Sequence, residues 1–111
     1  MTEARLKTEI RVSAQLRRAH AAGAFAMVVR SGDPDAGAVA VKLWLGRGKA
    51  RLLIQSRDLD GAPLWRELFE GDAAADDIEA KIDAWLAKEA KIDPDLWIVE
   101  IDDKDGRTFL D

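Results

Sequence analysis

The sequence predicts an α+β fold: a mainly antiparallel sheet of five to six strands with two helices packed on one face or end. Three apolar runs between Gly23 and Arg57 are separated by two turn-rich breaks, which is typical of an antiparallel meander. A later segment carries apolar residues at helical spacing, which indicates a helix that covers the sheet. We therefore predict one domain over residues 1–111, with elements in the order β-α-β-β-β-(β)-α-β.

The first element is predicted to be a strand over residues 5–12, because charged and apolar residues alternate there. Ser13 and Gly23 have the residue types that begin and end helices. The short helix between them is predicted to bury Leu16 and to expose Gln15.

The meander follows, beginning with a strand over residues 25–30. Its apolar residues fall on both sides, which predicts a central strand covered on both faces. Residues 31–37 contain Gly, Asp and Pro and are predicted to turn the chain. Strands over 39–45 and 51–55 are then joined by a tight hairpin at 46–49.

Residues 64–70 fit two patterns, a turn of helix and a strand face. We favour a strand, because Gly61 and Pro63 precede the segment and Gly71 ends it after seven residues.

The second helix has the clearest pattern, with Ile78, Ile82 and Leu86 on one stripe. Pro94 ends it. A final strand over residues 96–102 completes the sheet.

Composition excludes several classes of site. The chain has 48% hydrophobic and 34% charged residues and no cysteine, which excludes a disulfide scaffold, thiolate zinc sites and a Cys nucleophile. No segment has the apolar length of a membrane span, and we expect a cytoplasmic protein without a membrane association. Residues 1–56 carry ten Lys/Arg and four Asp/Glu, whereas residues 57–111 carry seven and seventeen. We expect these opposite charges to interleave in one domain.

Two stretches resemble a known family. Residues 16–42 include the strand Gly-Ala-Phe-Ala-Met-Val-Val-Arg and the turn Gly-Asp-x-Asp-Ala-Gly, and residues 93–110 begin with Asp-Pro-Asp-Leu-Trp. These strings resemble small bacterial proteins of the domain of unknown function 1491. The resemblance spans nearly the whole chain and implies a compact domain, but it brings no activity, cofactor or catalytic residue.

Acidic residues form the first candidate site. The tripeptide Asp-Pro-Asp occurs twice, and each copy precedes a strand. If both turns lie at one end of the sheet, Asp33 and Asp95 could bind Mg²⁺ or Ca²⁺ or act as an acid–base pair. Asp is also a preferred turn residue, and this simpler interpretation is the one we favour.

Arg30 and Lys42 form the second candidate. Arg30 ends the first meander strand, and Lys42 lies inside an otherwise apolar strand. Either could bind an anionic ligand or pair with Asp33 or Asp95. An ordinary ion pair at the rim of the sheet is the expected role.

Basic residues in the first half could contact phosphates, but no aromatic residues are interleaved with them. We do not expect nucleic acid as a partner. The segment 46–50 has Gly-Lys without the spacing or the Ser/Thr of a phosphate-binding loop.

Trp44 and Trp97 are predicted to lie on strands, and an exposed Trp pair would make a good interface anchor. The alternative is that both lie under the helices.

These observations predict a small binding or protein-interaction module, homodimeric through a sheet edge or through the Trp44/Trp97 face. The alternative is a carboxylate-based hydrolase or transferase, with or without a divalent metal, that uses Asp33 and Asp95 with Arg30 or Lys42. We predict no catalytic set, metal ligand or cofactor from the residues themselves.

Overall fold

The computed structural model describes residues 7–57, 59–60, 62–72 and 75–109. Its elements follow the order α-β-β-β-β-α-β, with a short 3₁₀ turn before the second helix. They are α1 (Thr8–Ala21), β1 (Phe25–Arg30), β2 (Val39–Gly46), β3 (Lys49–Arg57), β4 (Pro63–Leu68), the 3₁₀ turn (Glu70–Asp72), α2 (Ile78–Ile92) and β5 (Trp97–Asp102).

The five strands form one sheet in the order β1-β5-β2-β3-β4. Three neighbouring pairs are antiparallel, and β2 pairs with β5 in parallel. The α+β fold with a mainly antiparallel sheet is therefore confirmed, and the sheet is mixed. The predicted meander is wrong in one respect, because β5 lies between β1 and β2 and only β2, β3 and β4 form consecutive hairpins.

The two helices lie on opposite faces of the sheet, which corrects the expectation that both pack on one face or end. Val12 and Ala19 of α1 pack in a cluster with Val41, Val99 and Ile101. A second cluster joins α2 to the other face through Ile78, Ile82, Leu86, Ala40, Leu52 and Ile98. Because alternate residues of β2 and β5 point to opposite faces and both sets are apolar, the central strands need cover on both sides.

The predicted strand over 5–12 is wrong for the residues that are described, because Thr8 to Val12 form the first turns of α1. Ile10, which strand alternation would place inward, is 48% exposed. Gln15 was predicted to be exposed but is buried. Its side chain donates a hydrogen bond to the backbone oxygen of Thr108 at 2.9 Å, which satisfies the amide there. Residues 5 and 6 of that predicted strand lie outside the described residues.

The start of α1 is stabilised by a distant part of the chain. The N–H groups of Thr8 and Glu9 donate to the backbone oxygens of Asp35 and Pro34, at 3.2 and 2.9 Å. The Thr8 hydroxyl donates to the oxygen of Gly37 at 2.9 Å. These contacts satisfy backbone donors that a helix cannot satisfy internally, in place of a side-chain cap.

β1 is an edge strand, which corrects the prediction that it is central and covered on both faces. Its Ala26 side packs towards α1, whereas α2 lies over β3 and leaves the other side of β1 open. Phe25, Met27 and Val29 on this open side are 60%, 43% and 52% exposed.

The remaining elements match their predictions. The ambiguous segment forms β4, so the strand interpretation of residues 64–70 is confirmed through Leu68. The 46–49 hairpin, α2 and the final strand are also present. Among the described residues, no helix combines the length and the apolar character needed to cross a membrane.

Candidate functional site

The two Asp-Pro-Asp turns meet at one corner of the sheet. β2 and β5 are parallel and begin side by side, with Val39 aligned to Trp97. The turns that lead into them are therefore brought together, and the N–H of Asp33 donates to the backbone oxygen of Asp95 at 3.0 Å. Both turns therefore lie at one end of the sheet, which is the condition stated above for a carboxylate site.

The carboxylates at this corner shape the turns. Asp33 Oδ2 accepts a hydrogen bond from the N–H of Ala36 at 3.1 Å. Asp93 Oδ1 accepts one from the N–H of Asp95 at 3.0 Å. Such bonds to nearby backbone are the reason Asp is favoured in turns. No group of three or more potential metal-ligating side chains occurs within the described ranges.

Arg30 and Trp97 attach to the same corner through backbone oxygens. Arg30 donates from Nη1 to the oxygen of Leu96. Trp97 donates from Nε1 to the oxygen of Asp33 at 2.7 Å, and its side chain is buried at 6% exposure. Four of the six residues singled out in the sequence thus lie at this corner, where these hydrogen bonds connect the two turns to the sheet.

Lys42 lies apart from the corner. It is aligned with Glu100, which is three residues and about 10 Å along β5 from Trp97. Its Nζ lies 2.9 Å from Asp83 and 3.2 Å from Glu79, both on α2. The expected ion pair therefore forms, but with the second helix and on the central strand β2, so its predicted place at the rim of the sheet is wrong. The described partners of Lys42 are neither Asp33 nor Asp95.

The environment of Lys42 keeps the amine protonated. Burial alone would lower the pKa of Lys42, but hydrogen bonds to Asp83 and Glu79 and the nearby charge of Glu100 raise it above its usual value. A lysine that acts as a nucleophile or base needs a lowered pKa. The geometry therefore favours Lys42 as a fixed positive charge and gives no support to amine catalysis.

Trp44 and Trp97 do not share a surface, which corrects the suggestion of a Trp44/Trp97 face. Trp97 belongs to the cluster beneath α1, whereas Trp44 packs against the cluster beneath α2. The sheet separates them, and only Trp44 is half-buried. An interface must therefore be sought elsewhere.

The open side of β1 presents an apolar surface formed by Phe25, Met27 and Val29. Beside it, a groove of about 240 Å³ runs between β1 and α2 and opens to solvent. Its lining combines apolar side chains with the Lys42 cluster: Val29, Leu86, Ala87, Ala90 and Ile98, with Lys42, Asp83 and Glu100. Lys42 is the one predicted site residue that lines this groove.

The two edges of the sheet differ in how they are protected. β4 begins with Pro63, which has no N–H to donate, and it carries Arg66 and Glu67. Glu67 is bound to Arg51 by two hydrogen bonds of 2.6 and 3.0 Å. β1 has no charged residue before Arg30. Charges, Pro and bulges are the usual protection of an edge strand against pairing. β1 lacks the first two before Arg30, and its pairing with β5 shifts register only at its end, between Val28 and Arg30.

One backbone acceptor of β1 already has a side-chain partner. His20, near the end of α1, places Nε2 2.9 Å from the oxygen of Ala26. The exposed row of Phe25, Met27 and Val29 was not predicted from the sequence, because an uncharged strand is also typical of the centre of a sheet. Strand order would have identified it, and the residue pattern does not contain strand order.

Residues 6–111 match the family model described as Protein of unknown function (DUF1491). The chain belongs to the DUF1491 family. The resemblance noted in the sequence is therefore confirmed, and the family has no assigned function.

Solved structures of family members share the fold. A crystal structure of a DUF1491 family protein from Caulobacter crescentus CB15 has 43% sequence identity and a TM-score of 0.79, with 95% of this chain and 92% of that chain covered. An NMR structure of a DUF1491 family protein from the same organism has 44% identity and a TM-score of 0.75, with 97% and 94% covered.

A solution structure of a protein from A. tumefaciens has 32% identity and a TM-score of 0.77, with 96% of this chain and 93% of that chain covered. No curated protein matches the chain. The comparisons therefore establish the family and the fold and assign no activity.

Proposed function

We propose that this protein is a small protein-interaction module that associates with a second copy of itself through the β1 edge. The observation that carries the proposal is an edge strand without charge or Pro before Arg30, whose three outward apolar side chains are each more than 40% exposed. Exposed apolar edges favour strand addition, because the unpaired backbone groups supply hydrogen bonds and the side chains supply buried area.

A second copy fits this edge without burying a charge. A two-fold axis perpendicular to the sheet pairs β1 with the same strand in antiparallel orientation and keeps matching faces together. With the axis at Met27, that residue faces Met27 of the partner subunit. Phe25 then faces Val29 of the partner subunit, at the place where the pairing of β1 with β5 shifts register and the regular strand ends. Apolar side chains therefore meet only apolar ones across the centre.

The groove beside β1 extends the proposed surface. Its apolar wall on α2 adjoins the row of Phe25, Met27 and Val29, and Lys42 with Asp83 forms a polar floor. We therefore assign Lys42 to the binding surface as a charge that is neutralised within its own subunit. The residues of the Asp-Pro-Asp corner, with Trp97, support the fold beside it.

The test is the molar mass in solution, measured by sedimentation equilibrium. The wild-type protein is expected at twice the chain mass of 12.2 kDa. Met27→Lys is expected at 12.2 kDa, because the two-fold axis would place two ammonium groups against each other in an apolar contact.

Leu64→Lys is the matched control. Leu64 is an apolar residue of the opposite edge strand and is 51% exposed, close to the exposure of Met27. This variant should remain dimeric. Monomeric wild-type protein at every concentration, or a Met27→Lys variant that remains dimeric, would rule out the β1 interface, and another occupant of the edge would then have to be sought.

A cytoplasmic location is part of the same proposal. It rests on the absence of cysteine, which agrees with a reducing compartment. Fractionation of cells that express the chain with an epitope tag would test it, and recovery outside the cytoplasm would contradict it.

A further inference from the structure

The outer face of β1 stays open when the edge of this strand is paired. A strand that adds to β1 lies in the plane of the sheet, so it covers the unpaired backbone and touches the outward side chains only from the side. Met27 is aligned with Glu100, and Glu100 with Lys42, which binds α2, so the outward row of β1 lies on the α2 face. This row and the groove beside it therefore form a surface that strand pairing does not fill.

The open part of the α2 face has the width of one helix. α2 packs over β3, and β1 lies three strands away from β3 in the sheet. Neighbouring strands are about 4.8 Å apart, which places β5 about 10 Å and β1 about 14 Å from β3. Helices that pack side by side are about 8–10 Å apart. A further helix beside α2 would therefore lie over β5 and contact the row on β1.

The walls of the groove suit an apolar helix stripe. Leu86, Ala87 and Ala90 form the wall on α2, and Val29 and Ile98 line the groove from the sheet. The two alanines have short side chains, so larger side chains of a neighbouring helix can enter between α2 and β1. The side of the occupant that faces the sheet is therefore expected to be apolar.

Carboxylates of β5 lie along the apolar row. Glu100 lines the groove and is aligned with Met27, and Asp102 is aligned with Phe25. Aligned residues of neighbouring strands have their side chains on the same face. Both carboxylates are half-buried. They place negative charge directly beside the apolar surface.

The wall on α2 adds to this negative charge. Lys42 is the one cation among the described lining residues of the groove, and its Nζ is already bound to Asp83 and Glu79 at 2.9 and 3.2 Å. Together with Glu100 and Asp102, four carboxylates accompany a single ammonium group. An occupant that complements this surface carries positive charge.

We propose that the groove binds an amphipathic helix of another protein, with an apolar stripe on the sheet and Lys or Arg residues beside the stripe. This inference rests on the proposed function as an interaction module and names the partner of its groove. The negative charge disfavours an acidic helix or a nucleic acid. A second copy does not supply the helix, because its basic helix α1 already packs its apolar side on its own sheet.

The test is the binding of a synthetic peptide, measured by fluorescence anisotropy at physiological ionic strength, where long-range attraction is screened. The probe is a fluorescein-labelled peptide of leucine and lysine, about 18 residues or five turns long, with its leucines on one stripe. One reference peptide has the same residues in an order without a stripe, and the other has glutamate in place of lysine. The probe is expected to bind at least about tenfold more tightly than either reference.

Two arginine substitutions on α2 test the location. Ala87→Arg adds positive charge and bulk to the groove and is expected to weaken binding of the probe by about tenfold or more. Ala84→Arg is the matched control, because Ala84 is an exposed alanine of the same helix that does not line the groove. It should bind the probe as the wild type does. Circular dichroism verifies that each variant folds.

A second pair of variants tests the charge without a change in bulk. Glu100→Gln/Asp102→Asn is expected to weaken binding of the probe by about fivefold or more, because it removes both carboxylates of β5. Glu9→Gln/Asp35→Asn removes the same net charge from two exposed residues that do not line the groove. This control should retain the affinity of the wild type.

The groove and the β1 dimer fail separately. Ala87 lies on α2 and not on the edge of β1, so Ala87→Arg should sediment as the wild type does. A monomeric wild-type protein that binds the probe would contradict the dimer and support the groove. A dimeric protein that does not bind the probe would contradict the groove and leave the dimer unaffected.

Three outcomes would overturn the proposal. Equal binding of the three peptides would show that neither the stripe nor the positive charge is recognised. Unchanged binding to Ala87→Arg would place the peptide outside the groove. Equal weakening in the two arginine variants, or in the two double variants, would indicate unspecific attraction to an acidic protein.

Discussion

At the scale of the residue, two glycines allow the Asp-Pro-Asp turns to meet. A Cβ atom at Gly32 or Gly37 would overlap the backbone oxygen of Asp95. At Gly37 it would also lie 2.9 Å from Cδ1 of Trp97. The atoms in the way include main chain, which cannot move aside as the end of a side chain can. Glycine is therefore required here by close approach.

The first prediction concerns Gly37→Ala. We expect it to lower the free energy of unfolding by about 1–3 kcal/mol, because the added methyl group must displace the 93–95 turn or the indole of Trp97. Unfolding in urea, followed by circular dichroism, measures the change.

Gly71→Ala serves as its control. A Cβ at Gly71 would meet no atom within 4 Å, and its backbone does not have a positive φ. This variant should match the wild type or be stabilised by up to about 1 kcal/mol. Equal stability of Gly37→Ala and wild type would show that the two turns are less closely packed than described.

At the scale of the element, α2 is determined by its own residue pattern, whereas α1 also depends on contacts with a distant part of the chain. α2 presents a regular stripe of Ile78, Ile82 and Leu86, all buried, which pattern alone predicts. The N-terminal half of α1 has an alternating sequence that also suits a strand. Its helical form is supported by contacts with residues 34–37, far away in sequence.

The second prediction compares two isoleucines of α2. Ile82 is fully buried, whereas Ile92 is 66% exposed. Ile82→Ala is expected to lower the free energy of unfolding by about 2–5 kcal/mol, since it leaves a cavity between α2 and the sheet. Ile92→Ala should change it by less than about 0.5 kcal/mol. Chemical denaturation of both variants measures the contrast, and similar losses would contradict the orientation of the helix.

At the scale of the whole molecule, one sheet supports two hydrophobic clusters. β2 and β5 contribute one set of alternate side chains to each cluster, so both clusters depend on the same two strands. Because β5 lies between β1 and β2, the two halves of the chain are mixed within this sheet. Their opposite charges meet, as expected, where Lys42 pairs with Glu79 and Asp83 and where Arg51 pairs with Glu67.

The third prediction is that both faces unfold together. Trp65 and Trp97 report on the α1 face, and Trp44 and Trp85 report on the α2 face. A Trp44→Phe/Trp85→Phe variant leaves only the first pair to fluoresce, and Trp65→Phe/Trp97→Phe leaves only the second. In each variant we expect the fluorescence and circular dichroism transitions in urea to coincide. Different midpoints within one variant would indicate separate units and contradict a single domain.

Local pattern determined most of the elements. The turn residues, the 46–49 hairpin, the β4 strand and the stripe of α2 follow from spacing and residue type, because these structures depend on neighbours in sequence. The family resemblance was also carried by short strings. The sequence identified four candidate residues at the corner of the two turns: Arg30, Asp33, Asp95 and Trp97. It did not predict that they contact backbone atoms.

Tertiary structure decided what local pattern left open. It inserted β5 between β1 and β2, which made an uncharged strand an edge and exposed Phe25, Met27 and Val29. It provided the carbonyl groups that start α1, and it placed the groove between β1 and α2 beside the carboxylates of β5. The physical reason is that strand order and helix docking depend on burying both faces of one sheet, a property of the whole chain that no short window contains.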